Sequence, residues 1–185
     1  KLRHLIVIIL IGAVLSGVIW SVFLKEYQKQ RIITFLNPQK DPQGYSYQIQ
    51  QSMISIGSGE IFGKGLKNGS QSQLKFLPER ETDFIFAALA EELGLAGVFL
   101  IFVLWGIIMY RIFKITILAD NNFSRLFATG FALILFTKLS INIGMNLGLL
   151  PIIGISLPFV SYGGSGLIFN FIGLGILQSI KIHRG

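Results

Sequence analysis

The sequence has no cysteine, few charged residues and only two histidines among its 185 residues. The lack of cysteine excludes both a disulfide framework and a thiolate metal site. Charged residues make up 14% of the chain, whereas soluble domains average about 25%. Hydrophobic residues, in contrast, make up 52%. This composition is typical of a membrane protein.

The basic residues do not indicate nucleic-acid binding, although the net charge is +7. They are dispersed along the chain and flank apolar runs, which is typical of membrane topology signals. His4 and His183 have no partner at a ligand spacing, so no histidine metal site is expected. Because the chain does not begin with Met, we expect it to be a fragment.

Apolar stretches long enough to cross a membrane lie at about 5–24, 84–110, 126–150 and 163–180. A helix needs about 20 residues to cross the hydrocarbon core. The sequence therefore predicts an all-α polytopic membrane protein. Residues 1–185 would form a single membrane domain with four transmembrane helices.

A long polar segment, residues 25–83, separates the first two predicted spans. Apolar residues recur in it at helical spacing, first at Ile32, Phe35 and Leu36 and then at Ile49, Met53 and Ile56. We predict two short amphipathic helices at the membrane surface.

The distribution of Lys and Arg predicts the orientation. One side of the predicted bundle carries Lys1, Arg3, Arg111, Lys114, Arg125, Lys181 and Arg184, whereas the short loop at 150–166 carries none. Basic flanks favour the cytoplasm. Both termini and the loop at 111–125 are therefore predicted to be cytoplasmic. The segments 25–83 and 150–166 are predicted to lie together outside the membrane.

A charged stretch leads into the second predicted span and contains Glu79, Arg80, Glu81 and Asp83. Thr82 could N-cap a helix that starts at Asp83, whose carboxylate would favour the positive end of the helix dipole. A solvated, capped helix start explains this pattern without any function. The alternative is a general base at the membrane edge.

Polar residues also interrupt two of the predicted spans. Glu91 and Glu92 lie in the second, where a buried charge costs about 2.5 to 3.5 kcal/mol and needs a partner. Lys138, Asn142 and Asn146 follow one another at i, i+4 in the third and form one stripe, which we expect to face other helices. We predict that Lys138 pairs with Glu91 or Glu92. A role in helix packing alone remains an alternative.

The glycine-rich segment at 57–65 allows the close approach of backbone N–H groups to an anion. Its spacing does not fit a nucleotide-binding P-loop. With the nearby cations it could instead form a surface that attracts pyrophosphate. These cations are Lys64, Lys67, Lys75 and Arg80.

Several motifs, in order along the chain, resemble the SEDS family of shape, elongation, division and sporulation proteins. They are YQKQR at 27–31, FLNP at 35–38, IGSG at 56–59, GKG at 63–65, QSQ at 71–73, LPE at 77–79, TDFIF at 82–86, EELG at 91–94, NIGM at 142–145 and LPFVSYGGS at 157–165. Residues 27–31 and 153–158 resemble the rod-shape branch, RodA, more than the division branch, FtsW. The resemblance implies a partial SEDS fold, the last four of about ten spans.

The resemblance implies a glycosyltransferase of the bacterial inner membrane that polymerises lipid II into β-1,4 glycan strands during elongation and rod-shape maintenance. Its implied partners are a class B penicillin-binding protein, which is a transpeptidase, and other membrane proteins of the elongation complex. A precursor transporter or flippase, and a scaffold for a transpeptidase, remain as alternatives.

Asp83 matches the key acid of the family and is the implied catalytic base. The residues expected to support it or bind substrate are Glu79, Arg80, Lys64, Lys67, Lys75, Glu92, Lys138, Asn142, Ser161 and Tyr162. A divalent cation, Mg²⁺ or Mn²⁺, could contribute positive charge beside these residues. No organic cofactor is expected.

Overall fold

The computed structural model describes residues 2–40, 44–66, 68–69 and 81–183. All the regular secondary structure within these residues is helical, as the composition predicts. The chain forms two compact units, Lys1–Ser46 and Tyr47–Gly185.

The first unit begins with helix α1, Leu2–Val18, which a π-helical turn extends over Ile19–Phe23. Helix α2, Glu26–Leu36, confirms the first of the two short helices predicted after the first span. A 3₁₀ turn follows at Pro38–Lys40. The apolar part of the first helix, Leu10–Phe23, is shorter than the other apolar helices. A membrane span at 5–24 therefore stays a prediction.

The second unit contains most of helix α3, Tyr45–Ser58, which confirms the second short helix. Three long helices follow in this unit, α4 at Ile85–Ile117, α5 at Asn122–Asn146 and α6 at Gly164–Ile182. Within the described residues, these three are long and apolar enough to cross a membrane.

The predicted loop at 111–125 is wrong for most of its length, because α4 and α5 include most of its residues. The long side chains of Arg111 and Lys114 can carry their charges to water while the backbone stays helical. Lys114 also lies in the last turn of α4, where a positive charge favours the helix dipole. Asn121 begins α5 by accepting a hydrogen bond from the Ser124 N–H at 2.7 Å.

A core of apolar side chains holds α4, α5 and α6 together. Its buried members include Trp105, Phe131, Leu135 and Leu177. Phe131 packs against Gly173 so closely that a β-carbon at that position would overlap its ring. Many apolar side chains on the opposite helix faces are exposed, as expected for surfaces that meet lipid.

Helix α4 is interrupted at Gly94, whose φ of 67° and ψ of −167° are not helical. In a continuous helix, the N–H groups of Leu95 and Ala96 would donate to the carbonyls of Glu91 and Glu92. Here those N–H groups donate to Glu60 O and Ile61 O, at 2.9 and 3.0 Å.

The two carbonyls left over at the interruption are also satisfied by the glycine-rich loop. Lys64 N–H donates to Glu91 O and Gly65 N–H donates to Glu92 O, both at 3.0 Å. The loop therefore replaces two helical hydrogen bonds with four bonds of its own. This matters inside a membrane, where no water can satisfy an open backbone group.

The loop and α4 can approach this closely because glycines form the contact. A β-carbon on Gly59 would overlap the carbonyl of Ala90, and one on Gly63 would overlap that of Glu92. Gly63 also has a φ of +77°, which favours glycine. Two of the glycines in the glycine-rich segment, Gly59 and Gly63, therefore pack against α4.

We expect Gly63→Ala to lower the free energy of unfolding by about 2 kcal/mol or more, because it adds backbone strain and a steric overlap. Gly57→Ala is the matched control, since Gly57 lies in α3 with open space around it. Thermal unfolding of the natural gene product in detergent measures both variants. Equal unfolding temperatures for the two would contradict the contact described above.

Candidate active site

Asp83 lies in a turn at residues 81–84, immediately before α4. The prediction that Thr82 N-caps a helix starting at Asp83 is wrong. Helix α4 begins at Ile85, and its N-cap residue, Phe84, makes no side-chain capping bond. The carbonyls of Thr82 and Asp83 instead accept hydrogen bonds from side chains of distant segments. These bonds hold the turn outside the helix.

In a continuous helix, the carbonyl of Asp83 would accept a hydrogen bond from Ala87 N–H. The side chain of Asn146 bonds to both of these groups instead. Its Nδ2 donates to Asp83 O at 3.0 Å, and its Oδ1 accepts from Ala87 N–H at 3.2 Å. The side chain is fully buried. Ser52 of α3 fixes the same residue by donating to Asn146 O at 2.9 Å. The Asn146 amide thus replaces this helical bond and keeps Asp83 outside the helix.

Asn142, one turn earlier on α5, provides a second support. Its Nδ2 donates to Asp83 O at 3.0 Å and to Ile155 O at 2.8 Å. It is also fully buried. The polar stripe predicted from the i, i+4 spacing therefore faces the protein interior at these two positions. A direct contact of Asn142 with substrate stays a prediction.

The loop between α5 and α6 closes over the turn. The buried Ser161 hydroxyl donates to Thr82 O at 2.7 Å and accepts from Leu157 N–H at the same distance. Tyr162 N–H donates to Glu81 O at 2.8 Å, while the Tyr162 side chain is 78% exposed. Ser161 thus supports the turn, whereas a contact of the exposed Tyr162 with substrate stays a prediction.

Gly154, in the same loop, passes close to the carboxylate of Asp83. Its φ is +80°, and a β-carbon there would lie 3.5 Å from Asp83 Oδ2. The Asp83 side chain is half-buried. Beside this turn lies a cleft of about 470 Å³, lined in part by Glu81, Ser161 and Tyr162. The turn that carries Asp83 therefore borders this cleft through Glu81.

The ion pair of α4 differs from the predicted one. Lys64 Nζ lies 3.0 Å from Glu91 Oε1, and the Glu91 side chain is fully buried while that of Lys64 is 31% exposed. Lys138 instead has its ammonium 5.6 Å from the centre of the Phe169 ring. The predicted pairing of Lys138 with Glu91 or Glu92 is therefore wrong. The actual partner of Glu91 is Lys64, because the glycine-rich loop brings Lys64 to the interruption in α4.

The remaining predicted residues divide into two groups. Glu92 is half-buried, and its carbonyl accepts from Gly65 N–H. The others, Glu79, Arg80, Lys67 and Lys75, lie outside the described residues. Within the described ranges, no three acidic or histidine side chains gather in one place. A divalent cation at the site stays a prediction.

The site residues predicted from the sequence do not include Asn146, Ser52, Gly154 and Glu91. Asn146 had a signal, because it follows Asn142 at i+4 on the polar stripe. Ser52, in contrast, had none, since a serine on an amphipathic helix is usually a surface residue.

A family model described as a cell cycle protein, and covering FtsW, RodA and SpoVE, matches residues 1–185. The chain belongs to the FtsW/RodA/SpoVE family. This confirms the family that the sequence motifs resemble.

Two curated members of the FtsW/RodA/SpoVE family show how far the similarity extends. The peptidoglycan glycosyltransferase MrdB of Escherichia coli K12 is 48% identical over 179 residues, which are 97% of this chain and 48% of the relative. Stage V sporulation protein E of Bacillus subtilis is 41% identical over 183 residues, 98% of this chain and 49% of the relative. The chain spans about half the length of these relatives.

Solved structures of the family have the same fold. A peptidoglycan synthase complex, described as coordinating polymerization and crosslinking, matches with a TM-score of 0.72 and 34% identity over 98% of this chain and 49% of its own. A crystal structure of a Thermus thermophilus RodA variant matches with a TM-score of 0.56 and 35% identity, over 72% of this chain and 40% of its own. The chain is thus a helical membrane protein of this family.

We expect Asn146→Ala to lower the free energy of unfolding by about 2 to 5 kcal/mol, because it leaves buried backbone groups of Asp83 and Ala87 without their partner. Thermal unfolding of the natural gene product measures this loss. Asn122→Ala is the control, since Asn122 is an exposed asparagine at the other end of the same helix. Similar unfolding temperatures for the two variants would show that the bridging amide carries little stability.

We expect Glu91→Ala to lower the free energy of unfolding by about 2 to 3 kcal/mol, since it removes the buried partner of a lysine that remains partly exposed. Glu92→Ala, the neighbouring acid, should cost less. Replacing both members, Lys64→Met with Glu91→Met, should recover part of the loss because neither charge is then left alone. A double variant less stable than either single one would contradict the pair.

Proposed function

We propose that the protein containing this chain is a peptidoglycan glycosyltransferase that polymerises lipid II, with Asp83 as its general base. The observation that carries the proposal is the geometry of the 81–84 turn. The turn carries the half-buried carboxylate of Asp83 at the end of three apolar helices, and two fully buried asparagines hold its main chain. Glu81 of the same turn lines a cleft. The peptidoglycan glycosyltransferase activity in the printed name of MrdB supports the same reaction class.

The reaction requires one proton transfer and one displacement. The Asp83 carboxylate accepts the proton of the acceptor sugar's 4-hydroxyl while that oxygen attacks the anomeric carbon of the donor. The bond from this carbon to the pyrophosphate breaks, and undecaprenyl pyrophosphate leaves with the electron pair. Because the attack is direct, an α-linked donor gives a β-1,4 linkage.

A single carboxylate suffices for this chemistry, unlike in most glycoside hydrolases. A glycosidase needs an acid to protonate its leaving group, and so it uses two carboxyl groups. Pyrophosphate is already a stable anion and needs only positive charge around it. The candidates for that charge are Lys67, Lys75, Arg80 or a divalent cation.

Lys64 is better suited to positioning than to binding the leaving group. Its ammonium is 3.0 Å from a fully buried carboxylate, which offsets much of its charge. Its backbone N–H is bonded to α4 as well. We therefore propose that Lys64 holds the glycine-rich loop against α4.

The orientation follows from the basic residues of the helix ends. Arg111, Lys114 and Lys181 lie at the ends of α4 and α6 that are opposite Asp83. Positive residues favour the cytoplasmic side. We propose that both termini of the chain are cytoplasmic and that Asp83 faces outward from the bacterial inner membrane, where lipid II would present its sugars.

A class B penicillin-binding protein is the proposed partner. The support for it is the structural similarity to a peptidoglycan synthase complex, whose description joins polymerization to crosslinking. Further membrane proteins of the elongation complex are expected from the likeness to the rod-shape branch. A transport function receives less support, because Asn142 and Asn146 are committed to backbone groups and do not line an open path.

We expect Asp83→Asn to reduce lipid II polymerisation at least about 100-fold, because an amide cannot accept the proton. The assay uses the natural gene product, purified together with its transpeptidase, and follows glycan chain length by gel electrophoresis. Asp120→Asn is the matched control, since Asp120 is an exposed acid at the opposite end of the bundle.

The unfolding temperature of Asp83→Asn is measured in parallel, because the backbone carbonyl keeps its partners and a folded variant is needed for the comparison. Product formation close to normal by a folded Asp83→Asn protein would rule out the assigned role. A silent Asp83→Asn, together with loss of activity when a lipid-facing helix surface is changed, would support the scaffold alternative instead.

A further inference from the structure

A groove between α4 and α6 lies at the end of the bundle opposite Asp83. It has a volume of about 670 Å³. Its walls are apolar and include Ile108, Ile112, Phe171 and Leu174. A cavity of this size and lining suits a hydrocarbon chain.

Three cations lie around the same groove. Arg111 and Lys114 come from the last two turns of α4, and Lys181 comes from the last turn of α6. All three side chains are exposed. Among the residues that the structure describes, none of them forms a salt bridge. Three positive charges thus share one edge of an apolar groove without an acidic residue to neutralise them.

A topology signal alone would account for basic residues at this boundary, but not for their arrangement. Cations that only orient a protein need no common site and no apolar surface between them. Arg125 illustrates this case, because it lies at the same end, does not line the groove, and donates to Ala119 O at 3.2 Å. The groove combines a hydrocarbon surface with concentrated positive charge, as the head and tail of an anionic lipid require.

We propose that this groove binds an anionic phospholipid of the surrounding membrane. Its phosphate lies between Arg111, Lys114 and Lys181, and one acyl chain occupies the space between α4 and α6. The lipid joins the ends of these two helices, so its binding should stabilise their packing. The site lies a full helix length from Asp83 and is independent of the proposed glycosyl transfer.

The binding is tested on the natural gene product, delipidated in detergent and titrated with phosphatidylglycerol or with phosphatidylcholine of the same acyl chains. Native mass spectrometry counts the bound lipid, and thermal unfolding reports the stabilisation. Phosphatidylglycerol should bind more tightly and raise the unfolding temperature more. Inorganic phosphate should not compete, since it lacks the acyl chain.

Charge removal tests the headgroup contact. Each of Arg111→Gln, Lys114→Gln and Lys181→Gln should weaken the binding of phosphatidylglycerol by about fivefold. Arg125→Gln is the control and should leave it unchanged. Unaltered binding by the triple variant, or equal binding of phosphatidylcholine by the unchanged protein, would overturn the proposal.

A second variant tests the acyl site without changing charge. Gly175 lines the groove, and a β-carbon there would meet no atom within 4 Å. Gly175→Leu should therefore fold normally, fill the groove and abolish the binding of phosphatidylglycerol, and unchanged binding would overturn the acyl site. Gly106→Leu adds the same bulk to α4 outside the groove and should have no effect.

Crosslinking identifies an occupant other than lipid. A photoreactive group attached to Gly175→Cys, in a background without other cysteines, should react with phospholipid. Reaction with another protein segment instead would show that protein covers the groove, and would overturn the proposal.

Discussion

The fold of the second unit depends on satisfying the open backbone groups of α4. In a membrane, an unpaired N–H or C=O costs several kcal/mol, because no water replaces the lost partner. Helix α4 departs from helical bonding both at its start and at Gly94. At each place another segment of the chain completes the hydrogen bonds. Asn146 does so at the start, and the loop at 60–65 does so at the interruption.

These two repairs differ in what they do. The loop at 60–65 completes the hydrogen bonds with its main chain, and this demands glycine at the closest contact, Gly63. The repair at the start of α4 uses amide side chains, because one amide offers both a donor and an acceptor to the separated pair. It therefore fixes the position of Asp83 to α5 and, through Ser52, to α3. A rigid support of this kind is what a catalytic carboxylate requires.

The sequence predicts the long helices well but not their interactions. Hydropathy and length identify α4, α5 and α6, and the i, i+4 spacing of Asn142 and Asn146 predicts that both face inward. The Lys64–Glu91 pair could not be found this way, since the partner of Glu91 comes from a loop 27 residues earlier. The interruption of α4 at Gly94 could not be predicted either, because a glycine within an apolar run is usually tolerated in a helix. The catalytic assignment of Asp83 came from family resemblance.

The buried glutamate of α4 is then explained by the loop and not by the reaction. A buried ion pair adds little net stability, because desolvation offsets most of the attraction. It can still select one arrangement, since an unpaired Glu91 in the membrane interior would be costly. A shift of the loop by one residue would bring a residue other than glycine into the close contact with Glu92, and it would also separate the Glu91 carboxylate from its ammonium. We infer that Glu91, together with the glycine contacts, specifies the register of the loop against α4.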